Sequence, residues 1–214
     1  MSADLRDIVV RKPWGFEYMA FRNPELSIWA LQIAAGQGTS LHCHARKNAA
    51  FVVLRGTVEL QLIRGAPLRF TAVDKINVFR GRFHRLSAPL GDATLLEIEA
   101  PDDKDDLVRL EDTYGRGATY EGAEAHAPRD DRHIWLGGEE RTVLFAGCTL
   151  RTFAPRVREE LRGLGEREVV VTLHGGLERG LLPPGDAVDG VTLNKMVRAF
   201  APVSGSSFLH IKEA

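Results

Sequence analysis

Gly36-Gln37-Gly38-Thr39-Ser40-Leu41-His42-Cys43-His44 and the later stretch Phe79-Arg80-Gly81-Arg82-Phe83-His84 decide how this chain is read. On a β-strand, residues i and i+2 share a face. His42 and His44 can therefore offer two imidazoles to one point, while Cys43 turns away. His84, placed after the Gly81 turn, supplies a third. Neutral imidazole suits transition metals, and three protein ligands leave positions open for water or substrate, as catalytic metal sites require. A His-x-His pair alone is a weak signal. Here it follows a glycine, precedes a strand that ends at Gly56, and is completed by Gly-x-x-His. The expected cofactor is one divalent metal ion on His42, His44 and His84, its identity open among zinc, iron, nickel and manganese.

The flanking sequence is β in character. Ser27–Ile33 is apolar and strand-forming, Phe51-Val52-Val53-Leu54 runs into Gly56, and residues 58–63 alternate apolar with polar. That period of two marks a half-buried strand. Residues 75–79 and 94–99 add two more strands. The 21 glycines and 10 prolines punctuate them, and many short strands at close spacing argue for a sandwich or barrel. From Pro101 the character changes to Pro101-Asp102-Asp103-Lys104-Asp105-Asp106, followed by Gly115, Gly117 and Gly122. Residues 101–127 read as a connector with a short helical turn near 107–110. Strand-like sequence resumes at 142–145, 148–153 and 169–173, with a helical turn expected at 157–162. Val52-Val53-Leu54-Arg55-Gly56 matches Val171-Thr172-Leu173-His174-Gly175, and Thr94-Leu95-Leu96-Glu97-Ile98 matches Ser207-Phe208-Leu209-His210-Ile211. Such self-similarity points to a duplicated unit.

The first quoted stretch, followed by Gly56, resembles the first cupin motif: glycine, His-x-His, glutamate, glycine. Val73-Asp74 through His84 resembles the second, which ends Pro-x-Gly-x-x-His. The resemblance implies an all-β fold: an antiparallel, jelly-roll-like cupin barrel in residues 1–100, the connector, and a degenerate second cupin-like half in 128–214, making a bicupin. It also implies a ligating glutamate at position 49, where this chain has Ala49. Phe79 stands at the second motif's proline and Ala88 at its usual polar residue. Arg11-Lys12-Pro13-Trp14-Gly15 and His84-Arg85-Leu86-Ser87-Ala88-Pro89 are similar to segments of type II mannose-6-phosphate isomerases. That implies sugar-phosphate isomerisation at a metal. Aligning Val53 with Val171 puts the second-half counterparts of the histidines near Glu160, Arg162 and Met196, so no second triad is expected.

Arg46, Arg82 and Arg85 flank the metal motifs. They are the candidate substrate-binding residues, because a guanidinium fork matches carboxylate or phosphate; solvated surface charge is the alternative. Trp14, Trp29 and Trp135 are read as core. His126, His133, His174 and His210 are not expected to ligate. Lys+Arg of 28 against Asp+Glu of 29 gives no reason to expect nucleic acid or an anionic membrane. Two cysteines make no disulfide framework. With no apolar leader at the N-terminus, a cytoplasmic protein with a small-molecule ligand is expected, and cupin resemblance suggests a homodimer. Three functions stay open: a metal-dependent, isomerase-like enzyme on a small carbohydrate-related or anionic substrate; a three-histidine non-haem iron dioxygenase; and a non-catalytic ligand-binding or scaffold protein.

Overall fold

In the computed structural model, residues 5–116, 126–138 and 140–214 are described; Gly117 and Gly122 lie outside them. In chain order the strands are β1 (Ile8–Lys12), β2 (Gly15–Arg22), β3 (Ser27–Ile33), β4 (Leu41–Cys43), β5 (Asn48–Arg55), β6 (Val58–Leu62), β7 (Leu68–Phe70), β8 (Lys75–Val78) and β9 (His84–Ser87). They continue with β10 (Ala93–Ala100), β11 (Val108–Glu111), β12 (His126–Pro128), β13 (Arg141–Phe145), β14 (Cys148–Phe153), β15 (Glu168–His174), β16 (Ala187–Asp189) and β17 (Ser207–Glu213). Among the described residues one α-helix, α1 (Gly190–Ala199), lies between β16 and β17.

Two sheets build the barrel. The first runs β12-β1-β2-β3-β10-β5-β8 and the second β11-β4-β9-β6-β7, with antiparallel pairing throughout. Trp29, Leu31 and Ile33 of β3, Phe51 and Val53 of β5, and Leu95 of β10 face Val58, Leu60 and Leu86 of the second sheet. The intervening residues Ile28, Ala30, Val52, Leu54, Leu96 and Ile98 point the other way. There they meet a third sheet, β13-β14-β17-β15-β16, through Leu150, Val169, Val171, Leu209 and Ile211. This two-sided cover explains the sequence. A strand buried on both faces carries an unbroken apolar run, as in Phe51-Val52-Val53-Leu54. β6, covered on one face, alternates.

The third sheet repeats the order β2-β3-β10-β5-β8 strand for strand. Val53 N–H donates to Asp74 O at 3.0 Å, and Thr172 N–H donates to Asp186 O at 3.1 Å. Val52 pairs with Lys75 and Val171 with Ala187. The two halves therefore match Val52 to Val171, one residue away from the Val53-to-Val171 alignment used to place the second-half histidine positions. Gly56 and Gly175 both close the turn after the equivalent strand at positive φ, +84° and +72°. A side chain at either would collide with the facing chain, at Asp92 or Ser206.

The second half keeps one sheet of the two. On its far face, α1 and a 3-10 turn (Arg158–Leu161) pack Leu193, Val197 and Leu161 against Val170, Val188 and Phe208. Leu193 and Val197 sit one helical turn apart on the buried stripe. Asp189 caps α1 by accepting from Thr192 N–H at 2.8 Å. Met196 thus lies on a helix, where the first half has its histidine-bearing strands. The helical turn expected near 107–110 is also corrected. Val108-Arg109-Leu110-Glu111 forms β11 and pairs with β4, Arg109 opposite His42. Its alternation is strand-like, and the open edge of β4 supplies the hydrogen bonds. Among the described residues, no helix is long and apolar enough to cross a membrane.

Because one core runs through both halves, damage to the third sheet should weaken the barrel. Leu209→Ala is expected to cost about 2–5 kcal/mol. The fluorescence transition of Trp14 and Trp29, both buried in the barrel, should move to lower denaturant. An unmoved transition would mean that the halves fold independently.

Candidate metal centre

Strand register brings the three predicted histidines together. β4 carries His42 directly opposite His84 of β9, and His44 follows two residues later on the same face. Ring centroids lie 4.6 Å apart for His42–His84, 5.1 Å for His42–His44 and 5.5 Å for His44–His84. One ligating atom from each falls within 4.8 Å of the others. All three are buried.

Each ring is held by its Nδ1. His42 Nδ1 lies 2.8 Å from Ser40 O, His44 Nδ1 2.6 Å from Asp106 O and His84 Nδ1 3.0 Å from Arg82 O. A carbonyl only accepts, so each Nδ1 carries the proton and each Nε2 keeps its lone pair. The Nε2 atoms of His44 and His84 are buried without a hydrogen-bond partner. Buried polar atoms are normally satisfied, and an orphan lone pair in a histidine cluster is what a metal site needs. Burial lowers the pKa of all three rings, aided at His42 by the neighbouring histidines and at His44 by Lys47; His44 is pushed down to about 4. Neutral rings are the ligating form. The donor set therefore fits a divalent transition metal.

Asp106 organises the approach. Its carboxylate accepts from the N–H groups of Ala45, Arg46 and Lys47 at 2.7–2.9 Å, while its carbonyl holds His44. These bonds lower its pKa against the opposing effect of burial. The charged run after β10 thus fixes the loop that follows the His-x-His.

The histidines open onto a cavity of about 60 Å³. That is space for about two waters at roughly 30 Å³ each, or for the reacting end of a small molecule. Trp14, Leu31, Phe51 and Leu86 form its apolar wall. Its charged lining comes from distant segments: Lys12, Lys47, Lys104, Arg109 and Arg116 against Glu17, Glu97 and Glu99. Lys47 Nζ donates to Glu99 Oε1 and to Asp103 O, both at 2.8 Å. Lys104 Nζ lies 3.2 Å from Glu17 and 3.9 Å from the Trp29 ring centre. Burial, then the charge of Glu99, raises the pKa of Glu97 toward neutrality. Burial also opposes ionisation of Glu99, but Lys104 and Lys47 outweigh it and hold its pKa low.

The three arginines chosen from sequence stand outside this lining. Arg46 is exposed and pairs with Asp103 at 2.6 Å, and Arg82 is exposed. Arg85 follows His84 directly, so it points to the opposite face of β9. His133, His174 and His210 pair with Asp130, Glu25 and Glu168. The missed residues left one local signal. Glu97 and Glu99 sit at i and i+2 in an otherwise apolar strand, which sends both to one face.

The histidine shifts fix a pH response. Their folded pKa values are depressed, so their stability contribution is complete above about 6.5, the unfolded value. It is lost as pH falls from there, for His44 down to about 4. That is roughly 3 kcal/mol for His44 alone. Glu97, with its pKa raised, opposes this by gaining stability as pH falls through neutrality, but it is one group against three. Urea unfolding of metal-free protein should give lower stability at pH 5 than at pH 7. Equal values would contradict the buried neutral triad.

No family model and no curated protein matches the chain. Solved structures do resemble it. KdgF from Halomonas sp. is 20% identical, with 47% of this chain and 93% of that one covered and a TM-score of 0.42. The capsular polysaccharide assembling protein CapF from Staphylococcus aureus is 14% identical over 49% of this chain and 34% of its own, TM-score 0.42. A cupin-like protein from Thermotoga maritima is 15% identical over 45% and 75%, TM-score 0.42.

Proposed function

We propose that this protein is a metal-dependent enzyme acting, in an isomerase-like manner, on a small anionic, carbohydrate-related molecule. The observation that carries the reading is the pair of unpartnered, buried Nε2 atoms on His44 and His84, facing a cavity that also holds carboxylates and a surplus of cations. A bound divalent ion would supply Lewis acidity, polarising a carbonyl or hydroxyl oxygen. Lys12, Lys104 and Arg109 favour an anionic group such as carboxylate or phosphate. Glu97, with a proton affinity near neutrality, suits taking a proton from one carbon and returning it to the next. The apolar wall of Trp14, Leu31 and Phe51 limits water.

Ala49, where the resembled motif has glutamate, favours a second reading. Three histidines without that carboxylate suit non-haem iron and dioxygen. Metal content separates the two readings.

Purified protein should carry close to one divalent metal per chain, and His42→Ala should lose it. With that metal, the protein should turn over a member of a panel of aldose and ketose phosphates, and His84→Ala should abolish the turnover. Turnover untouched by His84→Ala would sink the proposal. Iron with dioxygen uptake would select the second reading, and ligand binding without turnover would leave a binding protein.

A further inference from the structure

Ala49 removes a carboxylate from the motif but not from the space around it. Ala49 lies on β5 with its methyl group in the barrel core beside Phe51. Its partner in the antiparallel register is Glu99 of β10. Directly paired residues hold their Cβ atoms about 4.5–5.5 Å apart. A glutamate side chain from the paired position can therefore reach the volume that a glutamate at 49 would fill. Glu99 is buried, at 2% exposure. Its Oε1 accepts from Lys47 at 2.8 Å, while its Oε2 has no partner. The ligating atoms of His44, Glu97 and Glu99 lie within 4.8 Å of one another, and those of His44, His42 and His84 do likewise. His44 belongs to both groups. In a tetrahedral zinc site with bonds of about 2.0–2.2 Å, neighbouring ligand atoms would stand roughly 3.4 Å apart. Glu99 shares His44 with the triad but is not grouped with His42 and His84, so joining them on one ion requires its side chain to move toward them.

We propose that Glu99 supplies the fourth protein ligand of the metal, replacing from the neighbouring strand the carboxylate that position 49 lacks. This rests on the metal-centre reading above. Glu99 Oε2 binds the ion while Oε1 keeps its bond to Lys47, the outer-shell support that ligating carboxylates usually have. Glu97, opposite Phe51 and two residues deeper, stays off the metal and available for proton transfer. The site becomes three histidines and one carboxylate, drawn from β4, β9 and β10.

The test measures zinc and cobalt affinity by chelator competition for the wild type, His84→Ala, Glu99→Gln and the double variant Ala49→Glu/Glu99→Gln. Glutamine keeps an acceptor for Lys47 but ligates poorly. Glu99→Gln should weaken binding on the order of 100-fold, at or beyond what loss of an outer-shell partner costs. The double variant, with the carboxylate returned to position 49, should recover most of it. The cobalt visible spectrum should change in Glu99→Gln and return in the double variant. Unchanged affinity and spectrum in Glu99→Gln, with binding lost in His84→Ala, would overturn the Glu99 assignment alone. No metal binding by the wild type would overturn the metal centre itself. Should Glu99→Gln fail to fold, a crystal structure of the zinc-loaded wild type decides. A Glu99 oxygen about 2.0–2.2 Å from zinc supports the assignment, and no Glu99 oxygen in the coordination shell overturns it.

Discussion

The pairing of β5 with β10 is the contact on which the rest of the molecule depends. Both strands are buried on both faces, so their alternate residues serve two different cores. One set, Val52, Leu54, Leu96 and Ile98, holds the third sheet against the barrel. The other set closes the barrel and turns Glu97 and Glu99 inward. The register that matches Glu99 to Ala49 is therefore set by hydrophobic burial on both sides. A one-residue slip would send every one of these side chains to the wrong core.

That constraint lets the barrel tolerate an interior full of charge. Lys47 at 1% exposure and Glu99 at 2% would each be costly alone. Paired and hydrogen-bonded, they are held by the walls rather than holding them together, since a buried ion pair is weak evidence of stability. The charges instead shape the chemistry of the cavity. Lys104 and Lys47 hold Glu99 ionised, while burial, more than charge, keeps the histidines neutral and lifts the pKa of Glu97 toward neutrality.

The second half repeats the sheet of the first without its histidine positions. The third sheet retains the strand order, the register and the glycine turn of its counterpart. The sheet that carries the histidines in the first half gives way to α1 and a 3-10 turn. The apolar demand is met equally well by Leu193 and Val197 of the helix as by strands, so the retained sheet keeps a covered face without any ligand being kept.

Much of this was legible in the sequence because it is local. Period two aligned His42 with His44, glycines marked the turns, and apolar runs marked strands. The repeat was readable because equivalent strands face equivalent surroundings. The same periodicity, applied to Arg85 beside His84, would have sent it away from the cavity; closeness along the chain is not closeness in space. Only the tertiary structure decided the rest. Lys12, Lys104, Arg109, Glu97 and Glu99 converge on the histidines because strands far apart in sequence are brought into register around one barrel. Asp106 reaches the His-x-His loop because the run after β10 folds back over it. A sequence pattern fixes which face a side chain takes. Which other faces it meets is set by strand pairing and sheet closure, and those arise from the burial of the whole chain.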